Sequence, residues 1–503
     1  DWEERRDRAL VLAELGRRTT LVVIEDAHWA DEATLDLIKY LGRRLQRTRA
    51  LLVATYRDDE LNPQHPLRLV LGDLATVAAA RRLSLPPLSL DSVRALVGDR
   101  PLDAAVLHQQ TGGNPFLVTE VIANEAGALP LTVRDAVLAR AARLSPSAQA
   151  VLEAAAVIGA RVEPWLLAAV TGAEAGAVDQ CLAAGLLLSA GDGLAFRHEL
   201  TRRAVLDAIS PLHRTTLHRL TLEALQIEPA TRRDLARLVH HAVAAGDREA
   251  ILAYAPAAAR QAVAARSHRA AAGLFELALR YAADLPPAER AQLLDEFSVE
   301  CDTTDRRPEA IAARQEAAAL WDAAGQTLRR GESLSHLANL LQITGRKAEA
   351  EDANRLALEL LAPLAPNREL LFAYNMAAWL SLADADNARG VAMAEKGLAL
   401  ARRLAEEAEL PRLYEIAGLC WLYLDHTRGA AYLEQALAAA LRLDHATRAG
   451  NIYANLASIY VDFHQFALAE VAFAQGLPFT REHDLDTVRV YMEGWLAIHK
   501  LHR

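Results

Sequence analysis

The residues best suited to chemistry stand near the start of the chain. Leu21-Val22-Val23-Ile24 is an unbroken apolar run, and Glu25 and Asp26 follow it directly. Two carboxylates delivered by a strand end can divide labour at a phosphate. One holds Mg²⁺, directly or through water, and the next orients the attacking water. An apolar run closed by two acids is also common on ordinary strands. Arg57 ends a second run, Leu51-Leu52-Val53-Ala54-Thr55-Tyr56. By itself an Arg at a strand end reads as one half of a surface ion pair. Gly112-Gly113-Asn114-Pro115-Phe116 reads as a loop and helix start, since Pro after Asn is good turn chemistry. His240-His241 has no acid or Cys at ligand spacing, so solvated helix histidines are expected rather than a metal site. His198-Glu199 does not begin a zinc-binding HExxH, because Arg202 takes the second His position.

These residues need elements to hold them. The two apolar runs, with a helical pattern from Glu32 to Arg47 between them, read as a βαβ unit with strands buried on both faces. A weaker third strand is expected at Arg82-Leu83-Ser84-Leu85, stopped by Pro86-Pro87. From about Leu129 the pattern becomes helical: one helix over 132–144, then another opened by Ser145-Pro146, Ser as N-cap and Pro in the first turn. Short helices lead to Leu186-Leu187-Leu188, a turn at Gly191-Asp192-Gly193, and Leu194-Ala195-Phe196. Helices followed by a small hairpin predict a winged helix. From about Asp234 onward all is helical, and a repeat emerges. Ala338, Ala377, Ala417 and Ala457 are spaced by about 40 residues, and Leu356, Leu398, Leu437 and Leu477 keep nearly the same step. That period, with two helices per unit, predicts an α-solenoid of tetratricopeptide type. Recurring Trp379, Trp421, Tyr423, Tyr453 and Tyr460 are expected to be core.

Composition sets outer limits. A chain of 503 residues accommodates about three domains. With 52% apolar and 24% charged residues it is an ordinary globular composition, which excludes disordered and collagen-like classes. A net charge of −10 argues against a chain built mainly to grip nucleic-acid phosphates. Cys181, Cys301 and Cys420 lie too far apart in sequence for a CxxC pair and suit a reducing, cytoplasmic setting. No apolar stretch is long enough to predict a membrane span.

Taken together, IEDAHWADEATLDLIKYL, LLVATYRDDEL, HPLRLVLGDL, TGGNPFLVTEV, LPLTVRDAVLARAARLSP and FRHEL, in that order and running into the repeats, resemble the large LuxR-type regulators. These are MalT-related members of the STAND class of signal-transducing AAA-type ATPases. The resemblance implies a mainly α chain: a partial α/β P-loop NTPase core (Walker B to GxP motif) over 1–128, a winged helix over 129–233, and a solenoid of TPR-like repeats over 234–503. It makes Glu25 the Mg²⁺-associated acid and Asp26 the catalytic acid, both at the metal through the nucleotide, and puts Arg57 at the sensor-1 position. Gly113 and Pro115 match the GxP motif, with Pro115 near the adenine. His198 matches a winged-helix histidine that contacts the nucleotide phosphates.

ATP or ADP with Mg²⁺ are therefore the expected cofactors of the full-length protein. The phosphate-gripping GxxxxGK loop is absent, since none of Lys39, Lys347, Lys396 and Lys500 follows a glycine. A fragment is expected, lacking that loop upstream and a DNA-binding helix-turn-helix downstream, and inactive as an ATPase in this form. An open strand edge next to 51–54 would favour self-association. The winged helix would be a lid over the nucleotide rather than a DNA reader, because from Leu144 to Glu199 six acids face two arginines. The repeats would read an inducer or a signalling protein, and DNA would be bound only through the missing domain. Two other readings stay open: the same module in a nucleotide cyclase or kinase fusion, and a scaffold whose ATPase has decayed.

Overall fold

A computed structural model of the chain describes residues 11–12, 14–58, 61–62, 65–98, 100, 102–123, 133–172, 174–196, 199–227, 234–483 and 485–502. They form two compact units, one made of the residues before Ala79 with those after Arg260, the other of Ala79–Arg260.

The first unit opens with the expected βαβ. Strand β1 (Thr20–Ile24) pairs in parallel with β2 (Ala50–Ala54), Leu21 beside Leu51 and Ile24 beside Ala54. Between them runs α1 (Glu32–Arg44), started by Asp31, whose carboxylate accepts the Thr34 N–H at 2.8 Å. Helix α2 (Pro66–Ala75) follows β2 and has Pro in its first turn. Ile24 and Leu52 pack against Ala27, Leu35, Ile38, Leu67 and Val70.

The strands are not buried on both faces as their composition suggested. Successive side chains alternate across a sheet, and both helices cover the side of Ile24 and Leu52. Leu21 and Leu51, on the other side, remain 62% and 61% exposed. The expected third strand is also corrected: residues 82–85 form no ladder, and Leu83 and Leu85 are exposed. Pro86-Pro87 removes the next two donors and restricts the backbone before them.

In the second unit, α3 (Leu90–Val97), α4 (Ala104–Thr111), α5 (Pro115–Ala123) and α6 (Val133–Ala141) precede a small mixed region. There α7 (Pro146–Ile158) is capped by Ser145, whose hydroxyl accepts from Ala148 N–H. Strand β3 (Arg161–Val162), α8 (Pro164–Thr171), α9 (Ala175–Ala183) and the hairpin β4 (Leu187–Ala190)–β5 (Gly193–Phe196) follow. The antiparallel sheet has the order β3-β5-β4. The hairpin was expected; β3 was not, being two residues long. Helices α10 (Glu199–Ala208), α11 (Pro211–Gln226), α12 (Leu235–Ala245) and α13 (Arg248–Ala264) carry the chain onward.

The rest of the first unit is a TPR-like repeat solenoid. After α14 (His268–Tyr281), helices pair as antiparallel neighbours: α15 (Pro287–Thr303) with α16 (Arg307–Ala323), α17 (Thr327–Ile343) with α18 (Lys347–Leu361), and α19 (Arg368–Ala383) with α20 (Asn387–Leu404). Then come α21 (Leu410–Leu422) with α22 (His426–Arg442), α23 (Ala446–Asp462) with α24 (Phe466–Glu482), and α25 (Asp486–His502). The alanine anchors explain the stacking. Ala338, Ala377, Ala417 and Ala457 are all buried where a larger side chain would hold the helices apart. Backbones approach closely at Gly429, where an added Cβ would stand 2.6 Å from the Leu422 nitrogen. Tyr453 and Tyr460 lie in the core as expected, whereas Tyr423 is largely exposed and Trp379 lines a surface pocket. Among the described residues no helix is long and apolar enough to cross a membrane.

Candidate functional site

Glu25 and Asp26 stand at the carboxyl edge of the β1–β2 pair, both exposed. The turn that presents them is fixed by the neighbouring strand. Asp26 N–H donates to Thr55 Oγ1 at 3.0 Å, Ala27 N–H to Thr55 O at 2.7 Å, and Thr55 N–H to Ile24 O at 2.9 Å. Asp26 adopts the left-handed region, φ 51° and ψ 44°, which Asp tolerates better than most residues. Among the described residues neither carboxylate is engaged in a hydrogen bond or ion pair. Two uncommitted, solvent-facing carboxylates fit the cation side of a magnesium–nucleotide. The phosphate side has no Gly-Lys cradle in this sequence.

Behind this edge His28 is buried, and its carbonyl accepts from His65 Nε2 at 3.0 Å. His65 Nδ1 accepts the Leu67 N–H at 3.2 Å, which fixes the Nε2–H tautomer. Arg57 lies two residues past Thr55 in an exposed segment on the same edge.

Gly113 and Pro115 belong to the second unit. Gly113 is buried with φ +70°, and a Cβ there would lie 2.3 Å from the Leu88 carbonyl oxygen. Its own carbonyl accepts the Leu88 N–H at 2.8 Å, while His108 Nε2 holds Leu88 O at 3.0 Å. Only glycine fits here. Pro115 is exposed at the first position of α5. His198 lies outside the described residues.

The structure brings His240 and His241, expected to be solvated helix histidines, together with His218, which sequence reasoning had not singled out. His218 on α11 and His240 and His241 on α12 hold ring nitrogens within 4.8 Å of one another. His240 is exposed, but His218 and His241 are buried, with their Nδ1 atoms 2.9 Å apart. Burial, reinforced by His240, pulls His218 down to about 4 and His241 to about 3. Both rings are neutral at pH 7, so one Nδ1–H donates to the other. Two nitrogens on one tetrahedral ion, each about 2.0–2.1 Å from it, would stand farther apart than this. The pair is a hydrogen-bonded joint between α11 and α12.

A second joint ties α12 to the mixed region. Arg237 donates from Nη1 and Nη2 to the two Glu163 oxygens at 2.7 and 3.1 Å. Burial raises the Glu163 pKa, but the Arg237 hydrogen bonds, a backbone hydrogen bond and the charges of Arg237 and Arg161 together hold it below the usual range. No sequence signal pointed to either joint, because the partners stand 23 and 74 positions apart and only the fold brings them together.

The solenoid carries the other concentration of buried charge. Arg448 Nη1 donates to Glu415 Oε2 at 2.7 Å and Asn455 Nδ2 to Glu415 Oε1 at 3.1 Å. Asp295 collects Arg314, Trp321 Nε1 and Ser333 Oγ from the next two helices.

No family model matches the chain. A curated relative, an uncharacterised protein of Rhizobium meliloti strain 1021, is 28% identical over 254 residues, 46% of this chain and 25% of that protein. The match thus spans a quarter of the relative's length. Among solved structures, a signal-transduction ATPase with numerous domains (STAND) and a tetratricopeptide-repeat sensor from Pyrococcus horikoshii is 13% identical. It covers 98% of this chain and 73% of its own, with a TM-score of 0.46. A Rap protein in complex with competence and sporulation factor is 14% identical and covers 58% of this chain and 76% of its own, with a TM-score of 0.43.

Proposed function

We propose that the chain is the middle of a nucleotide-switched, signal-responsive transcriptional regulator of the STAND, LuxR-like kind. In this reading 1–128 belong to an ATPase core, 129–233 to a winged-helix lid, and 234–503 to a repeat sensor. DNA is bound by a domain outside this sequence. The observation that carries the reading is the parallel β1–β2 pair with Glu25 and Asp26 free at its carboxyl edge. Ligands of open parallel sheets sit at that edge.

Glu25 and Asp26 would hold Mg²⁺ with ATP or ADP, Asp26 would orient water, and Arg57 would face the terminal phosphate. The magnesium ion, when bound, supplies charge neutralisation at the phosphates. The phosphate grip has to come from residues beyond this sequence. Support for the lid comes from the order helix, short strand, two helices, hairpin over 146–196. Its excess of acids suits an intramolecular partner better than DNA. In the same reading His198 is the residue assigned to the nucleotide phosphates.

The test is Mg-ATP binding and hydrolysis by the gene product at its natural length. Wild type is expected to bind nucleotide. Asp26→Ala should retain binding and lose about 10²–10⁴-fold in hydrolysis rate, the usual worth of a positioned base. A natural-length protein that binds no nucleotide refutes the switch.

A further inference from the structure

Four successive repeats contribute to one pocket of about 360 Å³. Asn339, Gln342 and Ile343 come from α17, Trp379 from α19, Arg412 from α21 and Arg448 from α23. The volume falls at the lower end of small-molecule sites, about 300–1,000 Å³.

The charge in this lining is unbalanced. It holds two guanidiniums and no carboxylate. Glu415, the acid behind it, is buried, with one oxygen given to Arg448 and the other to Asn455. Arg412 has no ion pair among the described residues. Its guanidinium lies 4.6 Å from the centroid of the Phe372 ring. Burial pulls Arg412 down to about 10, with the Arg448 cation acting in the same direction, so it remains charged at pH 7. Glu409 and Glu415 oppose this electrostatically, but neither carboxylate pairs with the Arg412 guanidinium among the described residues. A half-buried cation with no hydrogen-bonded counter-ion is costly.

Of the other lining residues, Asn339 and Gln342 are polar and Ile343 and Trp379 apolar. Ile343 is 54% exposed beside the Trp379 indole. Asn375 stands between Phe372 and Trp379 on the same face of α19. It is buried, and neither of its amide atoms has a partner among the described residues. An unsatisfied buried amide on this face is a second departure from a finished core.

We propose that the pocket binds a small organic carboxylate with a flat apolar body. Arg412 and Arg448 hold the carboxylate, Asn339 and Gln342 offer amide hydrogen bonds, and the body lies on Trp379 and Ile343. Two guanidinium forks in a lining that holds no carboxylate suit one planar carboxylate, and with Glu409 and Glu415 close by a phosphate dianion would meet more repulsion than a monoanion. This rests on the reading of the repeats as a sensor and names the chemistry sensed.

The experiment is calorimetric titration of the full chain with three aryl carboxylates (phenylacetate, benzoate, indole-3-acetate), with phenylacetamide as the neutral twin of phenylacetate, and with inorganic phosphate. At least one acid should bind saturably. Phenylacetamide and phosphate should bind at least tenfold more weakly. Arg412→Met and Arg448→Gln should each weaken acid binding at least tenfold. Because Arg412 lacks an ion pair, Arg412→Met should melt no lower than wild type, which separates lost binding from lost folding.

Three results overturn the site: no acid binding below about 10 mM, a range weaker than −3 kcal/mol or so; equal binding of acid and amide; or full binding by Arg412→Met. Saturable binding of phosphate as tight as the acids overturns the monocarboxylate assignment. Acid binding that leaves nucleotide affinity of the natural-length protein unchanged refutes the sensor reading while the site stands.

Discussion

Acid should weaken the solenoid through His336. This residue on α17 stacks on Phe372, ring centroids 4.5 Å apart, under the same ring that Arg412 covers from another side. Burial, then the cations of Arg314 and Arg412, pull its pKa down to about 3. The unfolded chain has an ordinary histidine near 6.5. Between these values the unfolded state binds the proton and the folded state does not, so stability rises with pH across this window. It is fully present above about 6.5 and is lost progressively as pH falls toward 3.

Each pH unit inside the window is worth about 1.4 kcal/mol, so moving from pH 7 to pH 5 removes roughly 2 kcal/mol. The chain holds 16 histidines, and His336 is one of them. The assay is therefore a double difference. Urea unfolding of wild type and of His336→Gln is measured at both pH values, and the pH-dependent loss should be smaller in the variant by roughly 2 kcal/mol. Equal losses, or a His336 ring that titrates near 6.5 by NMR in the folded protein, would refute the reasoning. An anion in the neighbouring pocket offsets Arg412, so saturating phenylacetate should shift the His336 titration upward.

Two further substitutions test the framework. Gly113→Ala forces a left-handed alanine, about 1–2 kcal/mol, and sets its Cβ against the Leu88 carbonyl. Thermal unfolding should show the second unit clearly destabilised, and an unchanged melting temperature would mean that the loop relaxes freely. Glu415→Ala strands Arg448 and Asn455. Breaking a buried pair costs about 3–5 kcal/mol, with the lower end expected because the Arg448 side chain is 33% exposed. Urea titration reads this directly, and a loss under about 1 kcal/mol, the worth of an exposed pair, would show that the pair is solvated.

The solenoid was legible because its rule is local. One small residue per unit must lie where helices touch, and Ala338, Ala377, Ala417 and Ala457 announce it by spacing alone. The βαβ unit and the Ser145 cap were legible for the same reason: period, propensity and capping act within a turn or two. The failures were tertiary. The composition of β1 and β2 could not say that helices would cover one face only. Residues 82–85 have strand-like composition, yet no neighbouring backbone pairs with them. His218 and His241 stand 23 positions apart and meet only because α11 and α12 fold back on each other. Asn339, Trp379, Arg412 and Arg448 occupy no common position within the repeat. Their convergence follows from the superhelical path of the stack, which the 40-residue period does not encode. Of the candidate site, the exposed acids at the end of β1 were readable, and the pocket was not.

A pocket whose walls come from four repeats has a mechanical meaning. In a stack whose units touch only their neighbours, the small rotation from each unit to the next sets the pitch, and these rotations accumulate along the axis. A rigid body wedged among α17, α19, α21 and α23 would set three such rotations together, like a shim between the coils of a spring. Displacements too small to see at any single helix would then add up in the coils beyond.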